Sequence, residues 1–208
     1  MAVVIEFTDS CDAVCFCVEL LERTAVENWG AIAMTKPWTT LAQILEMRSP
    51  WLTLIGERLQ DDRDRLLDYW RVEKADSAII VTQARGQFLL PPPSYRPGIA
   101  QASLDFPGGR IPPDTSPQAA AQAIVCRELN LIPEQILSLT PLNDQGWPIN
   151  SSFSNQKLFG FVAELDVSPE HQSPESLTYP CSEAGIATLL TELACLQCRA
   201  VLLEWLHR

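Results

Sequence analysis

The stretch Leu104-Asp105-Phe106-Pro107-Gly108-Gly109-Arg110-Ile111-Pro112-Pro113-Asp114-Thr115-Ser116-Pro117, continuing as QAAAQAIVCREL into Asn130-Leu131, decides the fold. Two glycines and three prolines keep residues 104–113 a loop. Ser116 then offers an N-cap hydroxyl, and Pro117 suits the first helical position, where no N–H is needed. The spacing predicts a helix that stops at Asn130, a residue tolerant of left-handed backbone, with Pro133 beyond it. On that helix Ile124, Arg127 and Glu128 stand at i, i+3 and i+4 and so share one face.

Upstream, Ser77-Ala78-Ile79-Ile80-Val81-Thr82 reads as a buried strand, turned by Ala84-Arg85-Gly86-Gln87 into Phe88-Leu89-Leu90. Pro91, Pro92 and Pro93 end that second strand, because three consecutive residues without N–H cannot continue a ladder. Tyr95-Arg96-Pro97-Gly98 is then a loop or a restarted edge. Further upstream, WLTLIGERL and LLDYWRVEKA read as strands around an acidic turn at Asp61 and Asp62. Downstream, residues 158–163 (LFGFVA) form another buried strand, residues 168–176 a polar loop, and two apolar helices follow from Ser182. No internal repeat and no low-complexity tract interrupts this order.

With 208 residues the chain suits one domain with a terminal extension. Its 26 Asp and Glu against 15 Lys and Arg leave a net charge of -11, which repels phosphate backbones and anionic lipid, so nucleic acid is not an expected partner. No apolar run approaches the roughly 18 residues of a membrane span, and MAVVIEFTDS shows no basic n-region or cleavage pattern; a cytoplasmic, membrane-free protein is expected. Residues 1–34 read as an appendage carrying an amphipathic helix, broken at Thr35-Lys36-Pro37, with Met34 and Met47 as alternative starts. Seven cysteines, an odd number without regular spacing, indicate a reducing compartment. Cys195-Leu196-Gln197-Cys198 is formally a CxxC in an apolar helical pattern and reads as structural, buried thiols; nothing in the spacing requires that they join Cys11, Cys15 and Cys17 around zinc.

The loop and helix at 106–131 resemble the signature of the Nudix hydrolases, G-x5-E-x7-R-E-U-x-E-E-x-G-U with U a bulky aliphatic residue. With its first glycine on Gly109, the loop length, the helix length and the aliphatic positions Val125 and Leu131 all match. The acidic positions fare differently: Thr115, Ile124 and Arg127 stand where the signature has glutamates, Ala123 stands for its arginine and Asn130 for its last glycine, and Glu128 alone keeps the carboxylate. Taking Arg127-Glu128-Leu129 as the R-E-U triplet fails, since Leu131 and Ile132 would replace the paired glutamates. Lys36-Pro37-Trp38 through Leu59, Tyr95-Arg96-Pro97, Trp147-Pro148, Ser152-Phe153-Ser154 and the C-terminal helices are similarly arranged to the ADP-ribose pyrophosphatases of that superfamily.

The resemblance implies an α/β (α+β) fold, an α/β/α sandwich with a mixed β-sheet between helices, spanning residues 35–208. It implies closing helices at 182–207 and homodimer pairing through strands at 35–60. In the family, glutamates on one helix face hold divalent metal against a diphosphate, which water then attacks. Here Ile124, Arg127 and Glu128 occupy that face, so a multi-magnesium site is not expected. The implied ligand-binding residues are Arg96, Gly108, Gly109, Arg110 and Arg127, with guanidinium groups contacting phosphate oxygens directly. The implied function is a catalytically degenerate protein that binds a nucleoside diphosphate or ADP-ribose-like ligand, or that acts through a protein partner. The alternative is an active diphosphatase with a rearranged site, in which Glu128 holds magnesium or manganese, aided by a loop acid such as Glu170 or Glu175. Asp105 and Asp114, flanking the glycine loop, are further candidates for such a role.

Overall fold

The strand that organises the sheet is Ser77–Ala84, and its alternation places successive side chains in two different cores. Ala78 and Ile80 pack with one buried cluster, whereas Ile79 and Val81 pack with the other. The computed structural model describes residues 36–167 and 176–208. The expected helix within residues 11–34, the acids Glu170 and Glu175 and nearly all of the polar loop lie outside the described residues. The described chain falls into two compact units, one containing 36–39 and 60–67, the other 40–59 and 68 onward.

In the first unit, residues 61–65 make a tight turn around one carboxylate. Asp61 accepts the N–H of Arg63 at 2.9 Å, the N–H of Arg65 at 2.8 Å and the Arg65 guanidinium at 2.6 Å. Burial pushes its pKa up, but these hydrogen bonds together outweigh burial and leave it lowered.

In chain order the first strands are β1 (Thr39–Arg48), β2 (Thr53–Gln60) and β3 (Leu66–Glu73), forming a three-stranded sheet in the order β1-β2-β3. Every residue of β1 is exposed. Gly56 of β2 is required by its neighbour, since a Cβ there would stand 2.8 Å from the Trp70 ring.

The larger sheet is mixed. β4 (Ser77–Ala84) pairs in parallel with β11 (Lys157–Leu165) and antiparallel with β5 (Gln87–Leu90) and β8 (Gly108–Arg110). Beyond β11 lie β9 (Ile136–Pro141) and β10 (Trp147–Pro148), and β12 (Leu177–Pro180) pairs with β5. The proline run after Leu90 ends β5 as its missing donors require. Tyr95-Arg96 turns out to be a restarted edge: β6 (Ser94–Arg96) pairs with β7 (Gln101–Ser103) as a separate ribbon.

One face of the sheet is covered by α1 (Pro117–Leu129), through Ala120, Ala121, Ile124, Val125 and Leu129. Ser116 caps it by accepting the Ala119 N–H, and Asn130 closes it in the left-handed conformation at φ 54°. The other face is covered by α2 (Glu183–Glu192) and α3 (Leu196–Leu206), through Ile186, Leu189, Val201 and Leu202. The result is the expected α/β/α sandwich. Among the described residues no helix is long and apolar enough to cross a membrane.

Candidate functional site

The glycine loop is held against the sheet by backbone pairing. Gly109 stands opposite Ala78 and Gly108 opposite Ile79, while the Ile80 N–H donates to the Pro107 carbonyl at 2.9 Å. The absent side chains matter here. A Cβ on Gly109 would lie 3.2 Å from Arg127 Nη2 and 3.4 Å from Ile124 Cδ1, so this glycine gives clearance to the C-terminal half of α1. That half carries Arg127 and Glu128 to the rim of a cleft of about 280 Å³.

Arg96, Gly108, Arg127 and Glu128 all line this cleft, together with Pro91, Ser103 and Asp105. The polar groups are arranged as two ion pairs. Arg96 donates from Nε to Asp105 Oδ2 at 2.8 Å and from Nη2 at 2.7 Å. Arg127 holds Glu128 Oε1 at 2.8 Å from Nη2 and 2.9 Å from Nε. The second pair is the more solvated, with side chains 60% and 34% exposed, against 52% and 13% in the first. A cleft with two forked guanidiniums and two carboxylates can take up a diphosphate by exchanging one anion for another.

The remaining predicted residues stand elsewhere. Gly109 does not line the cleft. Arg110 is turned away from it: its guanidinium donates to the Pro50 carbonyl at 3.0 Å and sits 4.7 Å above the Trp51 ring. Asp114 is exposed in a left-handed turn at φ 59° and does not line the cleft either. Thr115 donates to the Pro113 carbonyl at 3.4 Å. Ile124 is only 2% exposed, packed in the cluster with Ala78 and Ile80, so the position where the signature has a glutamate belongs to the core.

Asp105 is the group whose importance the sequence understated. Its place follows from the Pro97-Gly98 turn, which folds Ser94 against Ser103 and so brings the segments on either side together. Besides holding Arg96, it accepts the Ser103 hydroxyl at 3.3 Å on Oδ1. On the same oxygen it faces the Cys198 sulfur at 3.7 Å. Cys198 is buried, as the sequence reading has it, but Cys195 is half-buried and caps α3. Hydrogen bonding from Cys198, with the Cys198 and Gln197 backbone N–H groups, outweighs burial and Asp105 and lowers the Cys195 pKa to about 6. The Cys198 thiol is raised, chiefly by donating that bond and by burial.

A larger hollow of about 460 Å³ lies between β9, β11 and the end of α3. Its charged groups are already engaged, Glu164 by Gln83 and Arg208 by the Pro141 and Leu142 carbonyls, and its lining is mainly apolar. The smaller cleft is therefore the candidate site.

No family model matches this chain, and no curated protein matches it. A solved structure described as the crystal structure of an ADP compounds hydrolase is similar to it, with a TM-score of 0.65, over 83% of this chain and 94% of that chain. Sequence identity is 20%, so the likeness is one of fold. The chain has a Nudix-like fold, with a mixed sheet between helices.

Proposed function

We propose that the cleft binds the diphosphate of a nucleoside diphosphate compound, of the ADP-ribose kind, between Arg96 and Arg127, and that hydrolysis is weak or absent. The observation that carries this reading is the burial of Ile124. Where a metal-dependent site needs clustered carboxylates, the helix face here is hydrocarbon at 124 and cation at 127, and Glu128 is paired with that cation. The similar solved structure supports the ligand class by the name it bears. A cleft of about 280 Å³ is just below the roughly 300–1,000 Å³ of small-molecule sites, enough for the diphosphate and part of one nucleoside.

Titration of the full chain with ADP-ribose, with and without magnesium, tests this. Binding that persists without metal and falls by at least about tenfold in Arg96→Gln and in Arg127→Gln is expected, as loss of a charge-assisted bond requires. Absence of binding in the wild type sinks the reading.

A second reading, metal-dependent hydrolysis through a rearranged site, has one observation in its favour: Asp105 and Glu128 line the same cleft. Turnover of ADP-ribose with magnesium or manganese, abolished in Glu128→Gln, would establish it. We propose separately that β1 pairs two copies of the chain, since Leu41, Leu45 and Met47 are exposed along it. A monomeric mass by light scattering would refute that.

A further inference from the structure

We propose that Cys195, Cys198 and Asp105 form a binding site for one soft divalent cation of the zinc type, built behind the cleft and separate from the helix face at Arg127 and Glu128. The three ligand atoms all lie within 4.8 Å of one another. They come from two distant parts of the chain: Asp105 precedes β8, and the cysteines open α3.

The spacing suits tetrahedral coordination. Zinc binds thiolate at about 2.3 Å and carboxylate oxygen at about 2.0–2.2 Å, which sets the sulfur and oxygen about 3.6 Å apart at a tetrahedral angle. Cys198 Sγ and Asp105 Oδ1 are 3.7 Å apart. The C-x2-C interval is that of zinc-binding knuckles, and a helix start lets its two sulfurs face one point. Cys198 is buried and Cys195 half-buried at the start of α3, so both sulfurs stand where a bound cation is partly shielded from water.

Asp105 is divided between two tasks without conflict. Oδ2 accepts both Arg96 bonds, while Oδ1 faces the sulfur and the Ser103 hydroxyl. A metal on Oδ1 therefore leaves the Arg96 pair in place. Charge balances as well: two thiolates and a carboxylate are offset by a dication and the Arg96 guanidinium. Cys198 gives up its thiol proton as the cation enters, and Cys195 gives up any proton it still carries. With three protein ligands among the described residues, the fourth position falls to water or an incoming group. The carboxylate favours a metal over a dithiol–disulfide couple, because a third ligand atom adds nothing to a bond between two sulfurs.

The test is titration of the reduced, chelator-treated full chain with cobalt(II), followed by displacement with zinc(II). One equivalent should bind and give thiolate-to-cobalt charge-transfer absorption in the near ultraviolet. Cys195→Ser should lower affinity by more than the about 10–100-fold that loss of an outer-shell partner costs. Cys198 is buried, so Cys198→Ala is used there, with circular dichroism to confirm folding. Asp105→Asn should weaken binding but keep the absorption. The Cys11→Ser/Cys15→Ser/Cys17→Ser variant should bind as the wild type does. Undiminished uptake in Cys195→Ser, or loss of the absorption in the triple variant, overturns the proposal. So does reduced protein that takes up no metal and whose Cys195 and Cys198 close into a disulfide with a small-molecule disulfide oxidant, which would assign the pair to redox chemistry.

Discussion

Ile124→Glu places in the chain the acid that the signature has at this position, and it should destabilise the protein without adding metal-dependent turnover. Ile124 is 2% exposed among Ala78, Ile80 and Leu129. Losing its apolar burial costs about 1.5–3 kcal/mol. A carboxylate held there is also desolvated; if its pKa rises by about two units from roughly 4.3, the added cost at neutral pH is about 2.7 kcal/mol. The sign follows from linkage. A raised folded-state pKa leaves stability intact below the unfolded value and removes it as pH climbs toward the folded one. The variant should thus be about 4–6 kcal/mol less stable than the wild type at pH 8, and about 1.7 kcal/mol closer to it at pH 5. Urea unfolding followed by tryptophan fluorescence at both pH values measures this, with Ile124→Val, at about 0.5–1.5 kcal/mol, as the packing control. Arg127 is the natural outlet for the new charge, since its Nη2 and Ile124 Cδ1 crowd the same point above Gly109. Removing it in Ile124→Glu/Arg127→Leu should deepen the loss. Wild-type stability in Ile124→Glu at both pH values, with metal-dependent turnover gained, would refute the placement of this residue in the core.

Gly185→Ala would put a Cβ 2.1 Å from the Pro180 carbonyl oxygen, a backbone clash that should cost at least about 3 kcal/mol in denaturant unfolding; a near-neutral result would mean the start of α2 yields freely. In metal-free protein, Cys195 should react with iodoacetamide along a pH profile centred near 6, and a midpoint near 9 would show that its hydrogen bonds do not favour the thiolate. Because the Asp61 pKa is lowered overall, its contribution is present above about pH 3.9 and lost as pH falls toward the folded value. The stability gap between wild type and Asp61→Asn should therefore narrow in acid, and a gap that is constant with pH would count against the buried, hydrogen-bonded carboxylate.

The sandwich was legible because local signals agreed. The Ser116 cap, Pro117 and Asn130 bounded α1 without reference to tertiary structure, and the runs at 77–82 and 158–163 carried enough apolar residues to be central strands. The candidate site was legible only in part. Arg96, Gly108, Arg127 and Glu128 converge on one cleft, but Arg110 does not: pairing sets it opposite Ser77 at the far end of β8, where its guanidinium reaches the Pro50 carbonyl and the Trp51 ring. The meeting of Asp105 with Cys195 and Cys198 was hidden for a different reason. It joins positions about ninety residues apart, and only the packing of α3 against the sheet brings them together.

If the cleft binds a diphosphate as proposed, the difference between its two ion pairs orders ligand entry. Arg127 and Glu128 are solvated, and such pairs contribute little, roughly 0–1 kcal/mol, so a phosphate can take Glu128's place at low cost. Asp105 is mostly buried, and stripping Arg96 from it would leave a carboxylate both desolvated and unpaired. Arg96 therefore keeps Asp105 on Nε and Nη2 and meets an incoming oxygen with the donors of Nη1. On this geometry Arg127 exchanges partners while Arg96 extends an existing network. Glu128, once displaced, is the carboxylate free to meet a cation beside the diphosphate. On the proposed function, binding and any hydrolysis compete for the same Arg127–Glu128 pair, so a cation at 127 in place of a carboxylate would favour holding a phosphate over cleaving it.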